Sequence, residues 1–78
     1  NLGECKGVCR IAILHDNLPG VLAHVNHVLG EENINVSFQS LHEGELGYVV
    51  TDVAQKPSAA TLEALRNIEG TIRMRVIS

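Results

Sequence analysis

Apolar and polar residues alternate in four stretches of this chain and recur at helical spacing in two others. Over 7–14, Cys9, Ile11 and Ile13 share one parity and Arg10 takes the other, the period-two pattern of a strand. Its high apolar content predicts a central place in a sheet. From Val21 the period changes: Val21, Leu22, Val25, Val28 and Leu29 fall on one helical stripe, with His24 and His27 off it. Pro19 suits the first turn of that helix, where its missing N–H costs nothing. The helix should end within 30–32, with Asn33 able to take a left-handed cap. Ile34, Val36 and Phe38 then alternate with Asn35, Ser37 and Gln39, predicting a second strand. His42-Glu43-Gly44-Glu45 reads as a turn. Leu46 to Val53, rich in β-branched residues, predicts a third strand paired to the second as a hairpin. Pro57-Ser58 opens a second helix carrying Leu62, Leu65 and Ile68, and Gly70 stops it. Thr71 to Ile77 predicts a last strand, with Ile72, Met74 and Val76 on one face and Arg73 and Arg75 on the other.

The order β-α-β-β-α-β predicts an α+β, ferredoxin-like domain: a four-stranded antiparallel sheet with both helices on one face. In that topology the second and fourth strands lie at the edges. The second shows no Pro, no Lys and no obvious bulge between Ile34 and Leu41. Monomers usually blunt such an edge, so pairing with another chain is expected in preference to a short edge simply exposed to water.

At 78 residues the chain is one small domain. Folding at this size buries only about 60% of the unfolded chain's surface, so dimerisation or a ligand would add needed stability. Phe38 and Tyr48 are the only aromatics, which makes the core aliphatic. A net charge of −3 argues against nucleic acid as a partner. No apolar run approaches the ~18 residues of a membrane span, and no signal peptide is evident. Starting at Asn1 suggests a piece of a longer protein, with 1–6 as the tail of a linker and 7–78 as the domain. Cys5 and Cys9 on one strand would stand roughly 13 Å apart. A disulfide needs less than about 7 Å, so both are expected as free thiols in a reducing compartment, Cys9 in the core.

Four histidines raise the question of a metal. A structural zinc site needs four ligands, whereas Cys5, Cys9, His15 and His42 fall in separate segments, and His24 with His27 fits a solvated helix face. No metal is expected. No Gly-x-Ser-x-Gly and no Cys–His pair suggests a nucleophile, so no catalytic residue is expected. The segment with chemical promise is His15-Asp16-Asn17-Leu18-Pro19-Gly20-Val21-Leu22, which joins a strand exit to a helix entry. A helix's first turn presents unpaired N–H groups and a partial positive charge, where a carboxylate could be held. The competing reading is that Asn or Asp here merely caps the helix. Asn35 reads locally as an ordinary strand-entry residue.

Asn17-Leu18-Pro19-Gly20-Val21-Leu22 followed by Glu32-Asn33-Ile34-Asn35-Val36 resembles the ACT domains, small amino-acid-binding regulatory modules of metabolic enzymes. His15-Asp16-Asn17, Gly47-Tyr48-Val49-Val50-Thr51-Asp52 and Gly70-Thr71-Ile72-Arg73-Met74-Arg75 bring the resemblance closer to the C-terminal regulatory domains of bacterial D-3-phosphoglycerate dehydrogenases. That resemblance implies binding of L-serine and feedback control of serine biosynthesis. It implies a site of His15 and Asn17 beside the Pro19-Gly20 turn, completed by Asn35 of a neighbouring subunit. It further implies a cytoplasmic homodimer through the edge strand around Asn35 to Leu41, attached to catalytic domains that would use NAD and lie outside this chain. The alternatives are an ACT module sensing another amino acid and a purely structural dimerisation domain.

Overall fold

The computed structural model describes residues 8–77. The expected linker over 1–6 and Cys5 lie outside the described residues. β1 (Cys9–Asp16) takes the centre of the sheet because it is apolar on both faces: Cys9, Ile11, Ala12 and Ile13 are all buried. It is followed by α1 (Val21–Glu31), β2 (Val36–Glu43), β3 (Leu46–Val53), α2 (Ala59–Arg66) and β4 (Thr71–Ile77). The strands form one antiparallel sheet in the order β2-β3-β1-β4, so β2 and β4 are the edges, as the ferredoxin-like expectation requires. Val21, Val25 and Leu29 of α1 and Leu65 of α2 pack with Ile11, Ile13, Val49 and Val53 into one aliphatic core. Cys9 sits in that core.

Three local features differ from the sequence expectation. Pro19 lies before the helix, because Gly20 is the N-cap, with a left-handed φ of 84° that turns the chain from β1 into α1. A side chain would be strained at that φ even though the space around it is open. The second difference is a bulge in β2. Val36 pairs with Val53 and Phe38 with Asp52, so Ser37 is an extra residue and the alternation inverts across it. Val36 stands on the helix side of the sheet, while Phe38 is turned to the open side with Asp52. The bulge perturbs only the start of the edge; from Phe38 to Glu43 the register is unbroken. Finally, β2 continues through His42 and Glu43, which leaves Gly44 and Glu45 to make the turn.

The helix ends follow their local chemistry. Asn33 takes the left-handed conformation, φ 57°, and the Asn33 and Ile34 N–H groups donate back to the Gly30 and Leu29 carbonyls. Ser58 caps α2, its Oγ accepting from the Thr61 N–H at 3.2 Å. Glu32 accepts the Ser58 N–H at 3.0 Å and so joins the end of α1 to the start of α2. Hydrogen bonds from the Ser58 backbone N–H first, then from the Ser58 and Thr61 side chains, hold the Glu32 carboxyl below its ordinary range. On the open side of the sheet, Arg10 and the fully buried Asp52 form a two-point ion pair, 2.7 and 3.0 Å, directly across β1 and β3.

Candidate functional site

His15 has the parity of Ile11 and Ile13, so its ring points into the helix layer, and only 2% of the residue is exposed. What makes room for it is Gly47, its partner on β3. A Cβ at residue 47 would lie 2.7 Å from His15 Nε2 and 2.9 Å from Nδ1. The imidazole therefore rests on bare backbone, which only glycine permits.

The ring's tautomer follows from its contacts. His15 Nδ1 lies 2.7 Å from the Asp16 carbonyl, which can only accept, so Nδ1 carries the proton. In the neutral ring Nε2 is then a lone-pair acceptor. It is buried and has no partner among the described residues. A buried polar atom left unpaired costs about 1–3 kcal/mol, so such an atom marks a place where a donor belongs.

The loop after β1 is held at both ends. The Asp16 N–H donates to the Gly70 carbonyl at 2.8 Å, and the Leu18 N–H donates to the Asp16 carbonyl at 2.7 Å. Asn17 does not cap α1. Its Nδ2 donates instead to the Gly44 carbonyl at 3.3 Å, tying the loop to the β2–β3 turn. Among the described residues no side chain caps α1, so its first-turn N–H groups keep their capacity for an external acceptor.

These parts enclose a cleft of about 280 Å³, lined by His15, Asn17, Pro19 and Gly20 and closed on the far side by Leu41 and Glu43 of β2. Its volume suits a small metabolite rather than a large ligand. A second cleft, about 300 Å³, lies on the other side of Leu18–Val21, against His24, Ile68 and Glu69.

Four of the five sequence-predicted site residues thus meet in one cleft. Asn35 does not join them. It is exposed at the start of β2, where its carbonyl accepts the Ala54 N–H at 2.9 Å. The eight residues of β2 span roughly 25 Å, and the cleft lies at the opposite end of that strand. Sequence reasoning placed Leu41 only on the dimerising edge strand and Gly47 only in a resemblance motif, and gave neither these nor Glu43 a place in the site. A glycine inside a β-branched strand is a signal of close approach that could have pointed to Gly47. Glu43 was hidden by its apparent place in a turn.

Among the described residues no group of three or more His, Cys, Asp or Glu side chains is arranged to hold a metal. His27 pairs with Glu31 at 3.0 Å on the exposed face of α1. No helix of the described residues is long and apolar enough to cross a membrane.

The βαββαβ sheet carries a polar cleft between the β1–α1 turn and an edge strand. The chain belongs to the ACT domain family: residues 11–73 match the AHAS small subunit-like ACT domain. Within that class it is similar to D-3-phosphoglycerate dehydrogenases. It is 38% identical over 78 residues to that enzyme of Haemophilus influenzae, covering 99% of this chain and 19% of the relative. It is 37% identical over 71 residues to that of Escherichia coli K12, covering 87% of this chain and 17% of the relative. The chain therefore spans less than a fifth of these relatives. In structure it is similar to the ligand-free regulatory subunit of aspartate kinase from Thermus thermophilus, with TM-score 0.72, 20% identity, and 94% of this chain and 52% of that one covered. It is also similar to the C-terminal domain of the MgtC protein from Mycobacterium tuberculosis, with TM-score 0.69, 13% identity, and 96% and 92% covered. At these identities both show the fold alone.

Proposed function

We propose that this chain is an L-serine-sensing ACT domain, the feedback-regulatory part of a D-3-phosphoglycerate dehydrogenase. On this reading it has no catalytic residues, and the NAD-dependent chemistry belongs to further, cytoplasmic domains of a longer protein. The observation that carries the ligand reading is the buried, unpaired Nε2 of His15 beside an uncapped helix entry. A serine carboxylate can accept from the first-turn N–H groups of α1. Its hydroxyl can donate to His15 Nε2, a contact that alanine cannot make. Asn17 lies at the cleft's rim, with an amide that can both donate and accept. The relatives named above supply the enzyme in which such a sensor would act.

The edge strand supports a two-subunit site. If two copies pair antiparallel through β2 about a two-fold axis, the start of one β2 lies beside the end of the other. Leu41 and Glu43 at that end already line the cleft. Asn35 of the second copy would then arrive where His15 and Asn17 wait. A ligand bridging two copies favours one interface geometry over others, and that differential affinity can bias a distant active site.

Calorimetric titration of the chain with L-serine, alongside sedimentation, tests this reading. Saturable heat, a raised melting temperature and a tightened dimer are expected. Asn35→Ala should weaken binding about 10-fold or more, since hydrogen bonds to charged groups are worth about 1.5–3 kcal/mol. No heat and no thermal shift at millimolar L-serine would overturn it. The family match, which is broader than any one enzyme, favours a second reading in which another amino acid is sensed, and competition among amino acids separates the two. A purely structural dimerisation domain would be indifferent to all of them.

A further inference from the structure

Three positions lie in register across the sheet at the His15 cleft: His15 on β1, Gly47 on β3 and Glu43 on β2, of which His15 and Glu43 line it. All three share the helix-side face. Because Gly47 has no side chain, the row has a gap at its middle, and the imidazole of His15 fills part of it from one side. Glu43 bounds the other side, with two strand spacings, about 10 Å, between the outer backbones. Glu43 makes no ion pair with any described residue, and among the described residues no Lys or Arg lines the cleft. The opposite wall is the uncapped first turn of α1, which carries a partial positive charge. The cleft is therefore polarised, with a positive helix end, the buried His15 Nε2, and a negative end at Glu43.

We infer that Glu43 is the ammonium-recognising residue of this cleft, so that it takes zwitterionic amino acids and rejects the 2-hydroxy and 2-oxo acids of the same skeleton. The inference rests on the reading that the cleft holds an amino acid, and goes beyond it by naming the residue that reads the amino group. A zwitterion laid along the cleft sets its carboxylate on the α1 amides and its ammonium at Glu43. An acid lacking the amino group keeps the first contact and meets Glu43 with a hydroxyl or carbonyl instead. Its negative charge is then no longer compensated within the ligand, and the Glu43 carboxylate repels it.

The test is calorimetry of the chain with a panel of L-amino acids and, for each, the matching 2-hydroxy acid, L-glycerate standing opposite L-serine. The wild type should bind L-serine at least about 10-fold more tightly than L-glycerate, the ratio that roughly 1.4 kcal/mol of charge recognition gives. Glu43→Gln should weaken L-serine about 10-fold while L-glycerate binds as before or more tightly, because the repelling charge is gone. Glu45→Gln, which removes the same charge from the adjoining turn, should leave both ligands unchanged. Melting temperature and sedimentation of each variant separate ligand loss from damage to the fold or the dimer. An equal loss of both ligands at Glu43→Gln, or an equal effect at Glu45→Gln, would overturn the assignment, the second by showing a long-range charge effect. Should the wild type ignore L-serine but bind another amino acid in a Glu43-dependent way, the serine reading falls and the role of Glu43 stands. Should it bind no member of either series, both fall.

Discussion

Two clefts of nearly equal size flank the Leu18–Val21 turn, about 280 Å³ toward β2 and about 300 Å³ toward the α2–β4 connection. They share four residues of that turn and the same helix end. Volume does not distinguish them, but the groups that face each one do. The first contains a buried imidazole, held on a glycine, with a nitrogen that has no partner among the described residues. The second is bounded by His24 and Glu69, both exposed, where water satisfies every polar atom at no cost. A concave surface becomes a binding site when it holds polar groups that solvent cannot serve, and only the β2-side cleft does.

The strongest way to break this contrast is to fill the gap under His15. Gly47→Ala places a methyl group against the imidazole, which must move or push the strands apart. Overpacking of this kind costs about 1–3 kcal/mol. For a domain this small each kcal/mol lowers the melting midpoint by roughly 4–8 °C. The variant should melt lower and lose measurable L-serine binding; unchanged melting and affinity would show that the ring does not rest on residue 47. A sharper and smaller perturbation is His15→Phe, which keeps an aromatic ring, removes the unpaired acceptor together with the Nδ1 donor, and leaves the Asp16 carbonyl accepting from the Leu18 N–H. Differential scanning calorimetry should find stability unchanged or raised, while affinity for L-serine falls about 10-fold. His24→Phe in the other cleft should leave that affinity unchanged, and an equal fall there would erase the distinction between the two.

The smallest effect is expected at Glu32, which anchors the far end of the helix that both clefts share. Its carboxyl is held below the ordinary value by hydrogen bonds from the Ser58 backbone N–H first, then from the Ser58 and Thr61 side chains. A lowered folded-state value means stability that is present above the unfolded carboxyl range and is lost as pH falls through the folded value. Melting curves between neutral and acid pH should therefore show a slightly shallower acid loss for Glu32→Gln than for the wild type. Preference among ligands at neutral pH should not change.

Much of this was legible in the chain because it depends on local periodicity. Four alternating stretches and two helical stripes are enough to order the elements. The resemblance carried by His15-Asp16-Asn17-Leu18-Pro19-Gly20 drew attention to the turn that lines the cleft. The bulge at Ser37 was not legible, because inserting one residue into a strand changes the facing of Phe38 without changing the kind of residue present. Neither was the fate of Asn17, whose side chain had two partners of similar chemistry within reach, the helix end and the hairpin turn. It takes the Gly44 carbonyl, and nothing nearby in sequence says so. Glu43 looked like a turn residue because charged and glycine residues cluster there; the strand simply runs two residues further.

The sequence by itself determined the βαββαβ order, the aliphatic core, the exposed second strand and the candidate turn, since each follows from side-chain period or from backbone preference over a few residues. Only the tertiary structure decided that His15 is buried with one nitrogen satisfied and the other not. That outcome depends on Gly47, 32 positions away, pairing directly with it. It also decided that Glu43 stands across the same gap and that Asn35 lies at the opposite end of the strand. Strand register sets these relations, and register is a long-range choice made by the whole sheet, where a single bulge or one extra strand residue moves a side chain from one face to the other.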